Sequence, residues 1–72
     1  MAAEKQADRL PGATIALAEA VRAACIQAAL DGYEDARMAG LCWEGAWEAA
    51  IEAARHVDLQ PVIRAAELVK DA

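Results

Sequence analysis

The sequence contains no phenylalanine, no serine and no asparagine, and it has a single histidine, a single threonine and a single tyrosine. Each gap removes a class of chemistry. Without serine, Thr14 is the only serine-type hydroxyl, and with His56 as the only imidazole a nucleophile–base pair has few ways to form. The four glycines are scattered and build no phosphate-cradling loop. Seven Lys and Arg face twelve Asp and Glu, for a net charge of −5, and the cations never cluster. Nucleic-acid binding needs a basic stripe, so no nucleic-acid partner is expected.

Long apolar runs are missing as well. The longest uncharged stretch is LPGATIALA, residues 10–18, well short of the roughly 20 residues that cross a bilayer. No membrane association is expected on that ground. The opening MAAEKQADRL carries Glu4 and Asp8 and has no apolar centre, which does not fit a signal peptide. A cytoplasmic location follows as the expectation, with Cys25 and Cys42 as reduced thiols.

What the chain has in quantity is alanine. Hydrophobic residues make up 58% of the sequence, yet 21 of them are alanine. Alanine raises helix propensity and adds little buried area. A chain of 72 residues with so little bulk has a core of near-zero net stability by crude accounting. Small chains in that position gain a metal, disulfides or a partner chain, so oligomerisation is expected.

The organisation reads as all-α. Residues 1–11 are polar, carry both charges and form a flexible N-terminal arm; residues 12–72 form one small helical domain. Thr14 is placed as N-cap of a first helix over about 14–39, interrupted by nothing except Gly32. Gly40 followed by Leu41 supplies a left-handed C′ glycine and an apolar residue that folds back on the last turn. A second helix runs over about 42–57. Asp58 or Gln60 caps a short third helix, about 61–71, with Pro61 in its first turn. The fold is an antiparallel helical hairpin plus a third helix, completed as a bundle by oligomerisation.

At 100° per residue, Trp43, Trp47, Ala50, Ile51, Ala54 and Val57 share one face of the second helix, beside Ala46 and Ala53. That pattern places both indoles in the core of the hairpin, opposite an alanine-rich neighbour. Tryptophan also anchors interfaces, which makes a second chain the competing role for the pair. The first helix has two apolar stripes: Leu17, Val21, Ala24, Cys25 and Ala28, and, turned by more than 90°, Ile15, Ile26, Leu30 and Tyr33. One antiparallel neighbour covers only one of them, so either the third helix or another subunit covers the other. The candidate interface is therefore Ile15, Val21, Arg22, Ile26, Leu30, Tyr33, Trp43 and Trp47, with Arg22 snorkelling or pairing with an acid across it.

Glu44, Glu48, Glu52 and His56 follow one another at i,i+4 on the opposite face of the second helix. This ridge reads as a solvated face or a docking edge for a basic partner. Glu48, Glu52 and His56, with Cys42 near by, could also hold a metal, since carboxylate and imidazole are a reasonable ligand set. The functional expectation is a small non-enzymatic interaction module without cofactor, which self-associates or docks as an accessory subunit on a larger protein. A metal- or thiol-dependent helical bundle is the alternative. An unbroken first helix sets Cys25 about 20 Å along the axis from the turn that holds Cys42, beyond the roughly 7 Å a disulfide allows. Intact mass of air-exposed protein should show two free thiols per chain; an intramolecular disulfide would mean that the helix breaks near Gly32.

Overall fold

A computed structural model describes residues 10–71, with side chains from Leu10 to Glu67. The arm expected over residues 1–11 lies outside the described residues except for Leu10 and Pro11. Three helices follow one another among those residues: α1, Gly12–Met38; α2, Trp43–Arg55; and α3, Leu59–Asp71. The all-α hairpin with a third helix is the observed architecture. The bounds differ from the sequence reading at two places, by two residues at each helix end concerned.

The first is the start of α1. Thr14 was expected as the N-cap, but that position belongs to Pro11, whose φ of −58° and ψ of 148° set the entry. The Pro11 carbonyl accepts the N–H groups of Thr14 and Ile15 at 3.0 and 3.2 Å. Thr14 therefore lies inside the first turn. The second is the α2–α3 junction. His56 ends α2, its N–H shared between the carbonyls of Glu52 and Ala53 at 3.1 and 3.3 Å. Asp58 Oδ1 then accepts the Gln60 N–H at 3.1 Å, so α3 begins at Leu59 rather than at 61. Pro61 sits in the first turn, where its missing N–H has no intrahelical partner to lose.

The turn between α1 and α2 has the Schellman pattern that GlyLeu promised. Gly40 is left-handed at φ 99°. Its N–H reaches the Arg37 carbonyl at 2.9 Å, and the Leu41 N–H reaches that of Ala36 at 3.0 Å. Leu41 then lies over Gly45, where an added Cβ would stand 3.2 Å from the Leu41 side chain. The reversal is thus closed by backbone bonds on one side and by leucine packing on the other.

Gly32, the one interruption in the helix-forming run of α1, lies where the two helices approach closely. A Cβ there would lie 2.8 Å from Ala53 Cβ and 3.2 Å from the Ala49 carbonyl oxygen. The seam around it is built from small residues: Cys25, Ala28, Ala29, Gly32 and Ala36 on α1, and Ala46, Ala49, Ala50 and Ala53 on α2. Ala46 and Ala50, at 0% and 4% exposure, are the only buried residues among those described.

The third helix packs on α1 and not on α2. Ala13, Thr14 and Leu17 of α1 meet Ala66 and Glu67 of α3 around one shallow depression. The two short helices therefore lie in succession along the long one, each on a different half. The result is open: the radius of gyration is 16.1 Å, against about 11 Å for a compact chain of this length.

Gly32→Ala tests the seam. On propensity alone it should stabilise α1 by about 1 kcal/mol. Overpacking against Ala53 and the Ala49 carbonyl should outweigh that, with a net loss of about 1–3 kcal/mol and a lower melting temperature by circular dichroism. A higher melting temperature would mean that the helices do not touch there.

Candidate functional site

The close seam decides where the large side chains go. On α1 the residue after each of three seam positions is large: Cys25 is followed by Ile26, Ala29 by Leu30 and Gly32 by Tyr33. On α2, Ala46 is followed by Trp47 and Ala50 by Ile51, while Trp43 lies one turn before Trp47. One residue is a rotation of 100°. In two antiparallel right-handed helices, a turn of 100° past the seam carries side chains to the same side of the pair. Ile26, Leu30 and Tyr33 therefore share one broad face of the hairpin with Trp43, Trp47 and Ile51.

That face is uncovered. Trp43 is 64% exposed and Trp47 58%, with Ile26 at 53% and Leu30 at 56%. Ile51 is also exposed, and Tyr33 is half-buried at the edge. The core role expected for the indoles is thus overturned. Bulky rings at the seam would hold the helices apart, so alanine occupies it and the tryptophans are turned aside. Helix α3 does not compensate, because it meets α1 from the side of Ala13 and Leu17. Ile15, a further member of the same stripe toward the N-terminal end of α1, is also exposed.

The other residues singled out from sequence fall into place around this face. Val21 does not belong to it: it is half-buried on the stripe of Leu17 and Ala24. Arg22 lies beside the face and finds its acid on its own helix, Glu19, at 3.5 Å, both side chains well exposed. Arg37 donates through Nη1 to the Leu41 carbonyl at 3.1 Å and so ties α1 to the turn.

The acidic ridge points elsewhere. Glu44, Glu48, Glu52 and His56 are all exposed. His56 Nδ1 stands 3.1 Å from Glu52 Oε1, and Arg55 approaches Glu52 at 4.0 Å. Among the described residues no three His, Cys, Asp or Glu side chains converge as a metal would require. Cys42 and His56 cap opposite ends of α2, about 20 Å apart at 1.5 Å per residue. Cys25 is half-buried at the seam, Cys42 is exposed, and both thiols are free. Depressions among the described residues are shallow and open, one of them bounded by Asp58, Gln60, Pro61, Arg64 and Ala65. None has the enclosed apolar shape of a small-molecule site.

The chain matches no protein-family model, no curated protein and no solved structure. The functional reading therefore rests on the face itself. One further property of α1 bears on it. By length and composition the helix is long and apolar enough to cross a membrane, with a mean hydropathy of 1.4 over its best window. Glu19 and Arg22 interrupt this otherwise apolar segment, so its longest uncharged run is much shorter than the helix. The core helix of a water-soluble bundle can have the same composition, but such a helix is mostly buried, and none of this stretch is buried in the single chain.

The exposure of the ridge makes a sharp expectation. Glu48→Ala and Glu52→Ala should each change stability by less than about 0.5 kcal/mol, or raise it by relieving like-charge repulsion at i,i+4. Thermal melts of the two variants check this; a large loss from either would place the carboxylates in a buried site.

Proposed function

We propose that this chain is a small non-enzymatic interaction module that works by burying the face of Ile26, Leu30, Trp43, Trp47 and Ile51 against another protein surface. The observation that carries this reading is the pair of tryptophans at 64% and 58% exposure on the same side of the hairpin as the exposed Ile26, Leu30 and Ile51. Tryptophan is the residue most enriched at the energetic centres of interfaces, and apolar patches of this kind on soluble chains mark interaction sites. The missing serine and the single histidine fit a module that binds rather than one that catalyses.

An aqueous, cytoplasmic setting belongs to the same proposal. Helix α2 lies alongside the C-terminal half of α1 and exposes Glu44, Glu48, Glu52 and Arg55. A membrane around α1 would draw those charges toward hydrocarbon, at a cost of about 2.5–3.5 kcal/mol each near its centre even on the lenient insertion scale. Asp31, Glu34 and Asp35 on α1 itself add to it.

Two substitutions at neighbouring positions test the assignment of faces. Ala50→Leu overpacks the seam and should lower helix stability at every protein concentration, by about 1–3 kcal/mol. Trp47→Ala should leave the melt of the dilute chain within about 1 kcal/mol of the parent, since the ring is already more than half in water. The same change should remove stabilisation gained by association. If Trp47→Ala proves the more damaging of the two at high dilution, the indoles are core and the reading fails.

A further inference from the structure

We infer that the occupant of the uncovered face is a second copy of this chain, joined about a two-fold axis so that two hairpins form a four-helix bundle with the tryptophans at its centre. The inference rests on the reading of that face as a docking surface and names what docks there.

Area is the first argument. Trp43, Trp47, Ile15, Ile26, Leu30 and Ile51 leave on the order of 600 Å² of apolar side chain uncovered per copy, taking 150–250 Å² for a whole aromatic side chain. That reaches the upper end of the largest patch on an ordinary monomer. Face-to-face pairing would bury it twice, and with a polar rim it comes near the roughly 800 Å² per partner of a standard stable interface.

The deficit in the single chain is the second. Only Ala46 and Ala50 are buried among the described residues, so the single chain encloses little apolar bulk to set against the entropy of ordering three helices. The tryptophans and isoleucines are the bulk that a core of this size needs, and they lie together on the side that α1 and α2 leave open. Two flat hairpin faces of this kind pack as the layers of a four-helix bundle.

Charge placement is the third. A chain of net charge −5 resists meeting its own copy, unless the acids stay clear of the contact. Glu48 is two residues past Ala46 and so lies on the far side of α2 from the seam; Glu52 is two past Ala50 and lies on the far side as well. The charged side chains on or beside the face are Glu19, Arg22, Glu34 and Arg37 on α1 and Glu44 on α2, of which Glu19 and Arg22 already pair. An isologous contact here keeps Glu48 and Glu52 clear of their own copies, and sets Arg22 and Arg37 on the face within reach of Glu34 and Glu44 at its border.

Sedimentation equilibrium and acrylamide quenching of the indoles, on the same full-chain samples from nanomolar to tens of micromolar, test this. The expected result is a dimer of twice 7.6 kDa at the higher concentrations. Quenching should fall several-fold as the dimer forms, and the melting temperature should rise with concentration. Trp47→Glu should shift the dimer midpoint upward at least a hundredfold, while Glu48→Lys, off the face, should not weaken it. A dimer with freely quenched indoles would overturn the inference by placing the contact elsewhere. A folded monomer with freely quenched indoles would overturn the second copy and leave a different protein as the occupant. If phosphatidylcholine vesicles then shift the emission of that monomer to the blue, the occupant is lipid. A monomer with shielded indoles would overturn both this inference and the docking face beneath it.

Discussion

The close approach of α1 and α2 at Gly32 is the constraint on which the remaining structure depends. With 2.8 Å from an absent Cβ to Ala53, the helices meet nearly backbone to backbone. Every position along that line must be small, and the sequence supplies alanine at each of them on α2. The closeness brings many weak dispersion contacts but little hydrophobic area. A seam of this type fixes geometry well and contributes modestly to stability.

From that follows the placement of everything large. A helix that gives its seam to alanine has to carry tryptophan and isoleucine one residue further round. The antiparallel direction of α2 brings these side chains to the same side as Ile26 and Leu30. The uncovered face is thus a consequence of how the hairpin closes. Helix α3 approaches α1 from another direction, extends the molecule and leaves the face bare. The same economy explains the polar residues: the ridge of Glu44, Glu48 and Glu52 lies where neither seam nor face needs it, and it stays in water.

Much of the fold was legible before any coordinates. Gly40 and Leu41 announced the reversal, and Asp58 with Pro61 announced the third helix, because turns and caps are local events decided by a few neighbouring residues. The two stripes of α1 were also legible, as was the conclusion that one neighbour would not cover both. The core role given to Trp43 and Trp47 failed for a physical reason. A helical wheel ranks a face by its bulk, whereas the packed face is the one that permits the closer approach. Ala46 and Ala50 lie within 100° of the indoles, so the wheel holds both answers and does not choose. Gly32 carried the missing signal, since a glycine amid strong helix formers often marks a contact with another backbone. The N-cap at Pro11 was missed because Thr14 has the better capping side chain, while the Pro11 carbonyl was already placed to accept both N–H groups.

The sequence by itself determined that the chain is helical, where it turns, and that much of its hydrophobic content is alanine. Helix propensity, caps and glycine stereochemistry act over a few residues and need no partner to be read. Which side of α2 meets α1, and therefore that the two tryptophans stand in the open beside Ile26 and Leu30, was decided only in the tertiary structure. That choice depends on the distance between two backbones far apart in sequence, and no local pattern contains that distance.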